Sequence, residues 1–369
     1  MSALEELSLL SRSLGNDYLE RWKRDGGKVV GFTCGYFPEE VLHAAGILPY
    51  HVTPTGCADT SLADAHLSPY SCSFCRSCLQ YAADGKLGFL DGMVGLNGCD
   101  HLHRLHESWR VLAPPFFTHF LSVPHRTGPR AEAWFRDEVA SLAAALEAAF
   151  GRGITDDALR ASIGVYSETR ELLRELSPIL GGSDMLRLLV AGYRLPREVY
   201  NGLLRRALDE ARERAPASDG KPRVLLAGGP CDSPDFVELI EESGGAVVAD
   251  TQCSGARSYA GEVDVGLAPL AALTRYYMGK PPCARMVGED QARRAFLREV
   301  VRERRVEAVV YQRLKWCDLW GTESYVIRDE LRALDLPFIV VEREYWLSGR
   351  EQLKTRVQAL LEIVAHKRR

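Results

Sequence analysis

Residues 28–52 read KVVGFTCGYFPEEVLHAAGILPYHV, and this stretch decides the fold class. The apolar run at 28–34 predicts a buried strand, and ILPYHV at 47–52 predicts a second strand. Between the strands, Pro38 suits the first turn of a helix, and Gly46 suits the position just after its end. A strand, a helix and a second strand in succession favour a right-handed crossover in a parallel sheet.

The alternation of strands and helices continues over a first α/β region, which we place at 27–129. Apolar segments at 90–96 and 116–124 predict further strands, and CSFCRSCLQYAADGK and DHLHRLHESWRVL predict the helices that precede them. A second α/β region at 222–369 repeats the pattern. Its clearest strands are predicted at 222–228, 246–250, 306–312 and 336–342.

The segment between these regions, 130–221, has a different pattern. Three long stretches carry apolar residues at spacings of three and four, as amphipathic helices do. Its last part, APASDGKP at 215–222, has the composition of a linker. We also predict a helix in the N-terminal segment 1–26. The chain is therefore predicted to be an α/β protein in which a helical segment links two parallel-sheet domains, with a ligand cleft between them.

The composition narrows the function classes. Of 369 residues, 46 are basic and 50 are acidic, which gives a formal net charge of −4 and argues against nucleic-acid binding. No apolar run approaches the length of a membrane span, and the N-terminus does not have the pattern of a secretory signal. We therefore expect a cytoplasmic protein without nucleic-acid or membrane partners. Its ten cysteines are expected to serve metal binding, catalysis or burial rather than disulfides.

Three cysteines in separate segments are the strongest chemical signal: Cys72 in SPYSCSFCRSC, Cys99 in GLNGCDHLH and Cys317 in RLKWCDLWG. Each lies at a predicted junction between a strand or loop and a helix, and parallel sheets gather such junctions along one edge. Three thiolates that meet there can hold three irons of a cubane cluster and leave the fourth iron open. Asp100 and Asp318, which follow two of these cysteines, are predicted to cap the next helices.

Zinc is the alternative metal. A tetrahedral zinc site could be formed by three cysteines and one histidine, namely Cys72, Cys75 and Cys99 with His101 or His103. Zinc sites usually pair two close doublets, however, and Cys99 has no cysteine partner nearby in the sequence. Thiolates from dispersed loops suit an iron–sulfur cluster at least as well. The spacing alone leaves the choice of metal open.

The remaining cysteines are weaker candidates, because a free cysteine is among the residue types most often buried in a core. Burial is the simpler interpretation for Cys57, Cys231 and Cys283. Cys253 follows a predicted strand, and burial is also favoured there over a role in the site.

Five longer segments resemble one protein family. The chain is similar, in order and over nearly its whole length, to subunits of the 2-hydroxyacyl-CoA dehydratase and benzoyl-CoA reductase family, of the 2-hydroxyglutaryl-CoA dehydratase D-component type. This resemblance implies two flavodoxin/Rossmann-like parallel-sheet domains with additional helices, and one 4Fe–4S cluster per subunit. The segments are GFTCGYFPEEVLHAAGILPYHV (31–52), CSFCRSCLQYAADGKLGFLDGMVGLNGCDHLHRLHESWR (72–110), VLLAGGPCDSPDFVELIEESGGAVVADTQCSGAR (224–257), KWCDLWG (315–321) and REYWLSGREQLKTRVQALLE (343–362).

The resemblance also implies site residues. By motif position, the cluster ligands are Cys72, Cys99 and Cys317, which leaves one iron free for a substrate. Glu39 lies near the position where the family places a base or substrate contact, although a first-turn acid that complements the helix dipole is the simpler interpretation. Relatives with a double-cubane cluster take six cysteines from one chain. The six candidates here are Cys34, Cys72, Cys75, Cys78, Cys99 and Cys317.

The chemistry implied by the resemblance is the one-electron activation of an acyl-CoA thioester through a ketyl radical, in an anaerobic dehydratase or reductase. The family receives the electron from a separate ATP-hydrolysing iron–sulfur activator, and this sequence has no G-x-x-x-x-G-K-[ST] phosphate loop of its own. We expect a paralogous subunit or a second copy as a further partner. The alternatives are a double-cubane-cluster reductase of small molecules and a non-catalytic structural or electron-relay subunit.

Overall fold

In the computed structural model, which describes residues 1–214 and 220–369, the chain forms two four-stranded parallel sheets. The first sheet consists of β1 (Lys28–Phe32), β2 (Ile47–His51), β3 (Gly92–Leu96) and β4 (Phe117–Leu121). Its strand order is β2-β1-β3-β4. Neighbouring side chains of β1 face opposite sides, so that Val29 and Val30 are both fully buried in different core clusters. Burial on both faces explains the continuous apolar runs of the sequence.

The second sheet has the same topology. It consists of β5 (Arg223–Gly228), β6 (Ala246–Asp250), β7 (Ala308–Leu314) and β8 (Phe338–Arg343), in the order β6-β5-β7-β8. The predicted α/β class with two parallel sheets is therefore confirmed. In each sheet, the chain leaves the two central strands toward opposite edges, which makes the gap between them a topological switch point. Open α/β sheets bind ligands at the carboxyl ends of the strands that flank such a point.

Short helices connect the strands of the first sheet. They are α3 (Glu39–Ala44), α4 (Ser61–Asp64), α5 (Ser73–Ala83) and α6 (Asp100–Leu112). The last three pack on the face that buries Val29, whereas α3 and helices from later in the chain cover the other face. Two helices precede the sheet instead of the one predicted, namely α1 (Ala3–Leu10) and α2 (Asp17–Arg24).

Four helices, rather than the three predicted, follow the first sheet. They are α7 (Pro129–Phe150), α8 (Asp156–Leu176), α9 (Gly182–Gly192) and α10 (Arg197–Arg212). The sequence pattern does not reveal α9 because nearly all of its side chains are buried, which leaves no polar face to create a period. The linker predicted at 215–222 lies mostly outside the described residues.

The helices of the second half are α11 (Pro234–Glu242), α12 (Pro269–Gly279), α13 (Asp290–Glu303), α14 (Asp318–Ala333) and α15 (Arg350–Lys367), with a 3₁₀ turn at Ala256–Ser258. Although α12 comes after the second sheet has begun, it packs against α7 and α8 beside the first sheet. The chain thus returns from the second sheet to the first one before it forms β7. Within the described ranges, no helix combines the length and the apolar character needed to cross a membrane.

Gly228 fixes the end of β5 next to β7. Its φ is +103°, and a β-carbon there would overlap the backbone oxygen of Gln312. We expect Gly228→Ala to lower the free energy of unfolding by about 3 kcal/mol or more, through backbone strain and overlap together. The midpoint of urea unfolding measures this change. Gly202→Ala is the matched control, because Gly202 lies inside α10 with open space around it and should gain about 0.5–1 kcal/mol. Equal midpoints for the two variants would contradict the prediction.

Candidate functional site

A cavity of about 120 Å³ lies where loops from the two sheets meet. Its walls follow the carboxyl ends of β1, β2 and β3 in the first sheet and of β5, β6 and β7 in the second. This is the location that the topology favours for a ligand. Seven of the ten cysteines line it, namely Cys34, Cys72, Cys75, Cys99, Cys253, Cys283 and Cys317.

The three cysteines singled out from the sequence occupy equivalent places in the fold. Cys72, Cys99 and Cys317 are the N-cap residues of α5, α6 and α14, and none of their side chains makes a capping hydrogen bond. Three positive helix ends therefore lie at the cavity and favour negative charge within it. The prediction that Asp100 and Asp318 cap these helices is wrong. Each is the first helical residue, because the cysteine before it already holds the cap position.

The thiols interact electrostatically. Burial, with a smaller contribution from a neighbouring Cys72 thiolate, raises the pKa of Cys317 to about 12. Burial also raises the pKa of Cys99, with added contributions from thiolates at Cys72 and Cys317. Cys72 and Cys75 have sulfur atoms 3.6 Å apart, and this hydrogen bond is the largest cause that lowers the pKa of Cys72 to about 5. Several thiolates can coexist in so buried a cavity only with positive charge among them.

The arrangement does not suit a single metal ion. In the described parts of the chain, no three His, Cys, Asp or Glu side chains are close enough together to bind one ion. The zinc site considered for Cys72, Cys75 and Cys99 with a histidine is therefore not assembled. Of the two candidate histidines, His101 accepts a hydrogen bond from the backbone N–H of Cys72 (3.3 Å), whereas His103 is half-exposed beside Glu107. Thiols spread around a cavity fit the separate corners of a cubane cluster.

Three basic side chains share the cavity wall. Arg257 donates from Nε to the backbone oxygen of Pro281 (2.8 Å), and its Nη1 is buried without a hydrogen-bond partner among the described residues. Arg285 donates to the backbone oxygen of Val123 (2.7 Å). Lys280 is the third basic residue. A buried donor that lacks an acceptor fits a site built for an anionic group.

A second group of thiols lies along the same cavity: Cys34, Cys253 and Cys283. A β-carbon on Gly98 would lie 3.5 Å from the Cys34 sulfur, and the backbone N–H of Cys283 donates to the Tyr36 hydroxyl (3.4 Å). Burial raises the pKa of Cys253 to about 12; the charge of Arg257 opposes this shift, and thiolates at Cys283 and Cys34 contribute to it. Sequence reasoning assigned Cys253 and Cys283 to burial. The only local signal for Cys283 is the preceding Pro-Pro pair, which marks a turn.

The other cysteines lie away from the cavity lining. Cys57, Cys78 and Cys231 are buried, and Cys78 is fully buried in the core beneath α5. Of the six cysteines considered for a double cubane, Cys78 is therefore the one that does not line the cavity.

Glu39 lies in a smaller neighbouring cavity of about 60 Å³. Its carboxylate is paired with Arg197 (Oε2 to Nη2, 2.5 Å), and it accepts a hydrogen bond from the Tyr166 hydroxyl (3.4 Å). Burial raises the pKa of Glu39, although the charge of Arg197 opposes the shift. Glu39 is therefore not part of the cysteine cavity itself. The residues common to both cavities are Gly35, His51, Cys253 and Lys280.

Known proteins resemble the chain over most of its length. A model of the family described as "2-hydroxyglutaryl-CoA dehydratase, D-component" matches residues 34–364, a range that includes all seven cavity cysteines. One of the subunits of benzoyl-CoA reductase from Thauera aromatica is 28% identical over 334 residues, which cover 86% of each chain. The (R)-phenyllactyl-CoA dehydratase beta subunit of Clostridium sporogenes is 22% identical over 352 residues, covering 93% of this chain and 94% of the relative. The (R)-2-hydroxyglutaryl-CoA dehydratase subunit beta of Acidaminococcus fermentans is 24% identical over 374 residues, covering 97% and 98%.

Proposed function

We propose, since this chain belongs to the 2-hydroxyglutaryl-CoA dehydratase D-component family, that it is an iron–sulfur subunit of an enzyme that dehydrates or reduces an acyl-CoA thioester. The names of its relatives, which are dehydratase and benzoyl-CoA reductase subunits, support this reaction class. The observation that carries the proposal is the meeting of Cys72, Cys99 and Cys317 at one cavity, each from the N-cap of a different helix.

These three thiolates would hold a 4Fe–4S cluster through three of its irons. Such a cluster, when bound, supplies an iron with an open coordination position and a one-electron carrier. The protein contributes the surrounding field, because three helix N-termini and the guanidinium of Arg257 all favour negative charge. The buried Nη1 of Arg257, which has no hydrogen-bond partner among the described residues, would donate to an oxygen of the bound thioester. The hydrogen bond of Arg285 to Val123 holds a further cation at the wall.

The proposed partners follow from the same family. The relatives are subunits of larger enzymes, so we propose a paralogous subunit, or a second copy of this chain, as the constant partner. An ATP-hydrolysing iron–sulfur activator, which the family resemblance implies, would supply the electron. The lack of a G-x-x-x-x-G-K-[ST] motif in this sequence is consistent with ATP use by such a partner.

Anaerobic purification of the complex, followed by iron and acid-labile sulfide analysis, tests the cofactor. We expect about four irons and four sulfides for each chain. The loaded complex, given activator, ATP and a 2-hydroxyacyl-CoA or aromatic acyl-CoA, should form the dehydrated or reduced thioester, detected by mass spectrometry. A complex with the full complement of iron that converts neither class of thioester would contradict the proposal.

A specific observation supports a second candidate function, the reduction of small molecules at a double cubane. Cys34, Cys253 and Cys283 line the cavity that also holds the first three thiols, so six cysteines could serve two cubanes. Cys78, one of the six cysteines predicted from the sequence, does not line the cavity, whereas Cys253 and Cys283 do, so that seven cysteines in all are available there. About eight irons per chain, falling to about four in Cys283→Ser, would favour this candidate over the first.

A further inference from the structure

Lys280 is the basic residue that lies between the two cavities. It follows the last residue of α12 and lines both the cysteine cavity and the Glu39 cavity. Its ammonium is 3.5 Å from the backbone oxygen of Gly35 and 4.4 Å from the centre of the Tyr277 ring. A lysine held by one long hydrogen bond and an aromatic face, instead of a carboxylate, keeps its protons available for transfer.

The two nearby carboxylates each form an ion pair with an arginine. Glu40 is paired with Arg170 (2.8 Å) and accepts a hydrogen bond from the Tyr277 hydroxyl (2.8 Å), and Glu39 is paired with Arg197. Burial, followed by the charge of Arg170, lowers the pKa of Lys280 to about 8, while the two carboxylates oppose the shift. The charged and titratable groups that face Lys280 are Glu39, Glu40, Arg170, Arg257, Tyr276 and Tyr277.

We propose that Lys280 is a catalytic acid–base residue that moves protons to and from a substrate bound in the cysteine cavity. The inference rests on the proposed function and adds a named proton carrier to it. In a dehydration, the C2–oxygen bond breaks while an N–H bond of the Lys280 ammonium breaks and an O–H bond forms, so that the hydroxyl leaves as water. The neutral amine then takes the proton released from C3, which restores the ammonium. The single electron, supplied by the activator, is added to the thioester before the hydroxyl leaves and passes from the product back to the enzyme. The net reaction is therefore the loss of one water molecule without a net change of oxidation state.

The position of Lys280 makes this role specific. Among the residues that line the cysteine cavity, Lys280 is the one lysine, and the two arginines there remain protonated at any working pH. Histidine is represented in the lining by His51, but burial lowers the pKa of His51 to about 4, so it is a poor acid at neutral pH. Lys280 is therefore the basic side chain of the lining best suited to give up a proton and regain it.

Two variants of the intact complex test the proposal. Lys280→Met keeps the bulk but removes the titrating group, and Lys280→Arg keeps the charge but does not release the proton. Both should lower kcat by about 10²- to 10⁴-fold, with an unchanged iron content and a nearly unchanged KM. Lys86→Met is the matched control, since the Lys86 ammonium also lies 4.4 Å from a tyrosine ring, that of Tyr81, but on the surface. Full kcat in either Lys280 variant would overturn the proposal.

The pH dependence separates a catalytic role from a structural one. The wild-type kcat should fall as pH rises above about 8, because the ammonium that donates the proton is lost there. Competitive acetylation with acetic anhydride, read by mass spectrometry at Lys280 on the wild-type complex, measures the same ionisation without turnover. A labelling midpoint near 8 supports the proposal, and one near the ordinary lysine value of about 10.4 overturns it. If the wild-type complex converts no thioester, the proposed function fails, whereas labelling still decides whether Lys280 titrates as inferred.

Discussion

Cys317→Ser should abolish cluster binding and, with it, catalysis. With a serine in place of this thiol, two of the three proposed ligands remain, and a serine hydroxyl is a far weaker ligand for iron than a thiolate. We expect the iron content of the anaerobically purified chain to fall from about four to less than about one, together with loss of the cluster's visible absorbance. Turnover of the acyl-CoA thioester should fall below detection.

Cys317 gives the sharpest test because each of the other two proposed ligands has a second sulfur nearby. The Cys75 sulfur lies 3.6 Å from that of Cys72, and Cys34 lies against Gly98, the neighbour of Cys99. Either sulfur could replace a missing ligand, so variants at those positions are expected to keep part of their iron.

The control for this experiment is Cys57→Ser. Cys57 is buried outside the cavity, and its thiol donates to the backbone oxygen of Asp59 (3.1 Å), a bond that a serine hydroxyl can also make. This variant should keep its iron and its activity. Equal iron in Cys317→Ser and wild type would show that the cavity is not the cluster site.

The sequence allowed the class of fold to be predicted because strand and helix signals are local. The run at 28–52 carries both periodicities, and the repeat of this pattern in the second half implied a second sheet. The convergence of Cys72, Cys99 and Cys317 could also be predicted from the sequence, because the carboxyl ends of parallel strands meet at one edge of a sheet. The same geometry explains why all three cysteines are N-cap residues. Each lies in a loop that leads directly into a helix.

The second group of thiols could not be predicted in this way. Cys283 lies in the segment between α12 and α13. Its position in the cavity lining depends on how α12 packs beside the first sheet. That packing is a tertiary property without a local signature. Cys75 and Cys78, which both belong to the six cysteines considered for a double cubane, differ in their position in the fold. Cys75 lines the cavity, whereas Cys78, one turn later, is fully buried in the core.

Arg170→Met should produce the largest loss of stability. Arg170 joins α8 to α3 through its pair with Glu40, whose side chain is 0% exposed. Removal of the guanidinium leaves a buried carboxylate without its counter-ion, which costs about 3–5 kcal/mol. The midpoint of urea unfolding at neutral pH measures the change. Arg212→Met is the control, because its pair with Glu175 has the same 2.8 Å distance but is half-exposed and is expected to contribute about 0–1 kcal/mol.

The pH dependence of this loss identifies its cause. Burial acts to raise the pKa of Glu40, but the charge of Arg170 and the hydrogen bonds from Arg170 and Tyr277 outweigh it and hold the pKa below its ordinary value. The pair therefore stabilises the fold fully above the unfolded-state pKa of about 4.3, and the contribution is lost as pH falls through the lower folded-state value. In Arg170→Met, the charge of Arg170 no longer opposes the effect of burial, so Glu40 should take up a proton more readily. The difference between variant and wild type should accordingly shrink in acid, and a difference that stays constant down to pH about 4 would indicate lost packing rather than a lost charge pair.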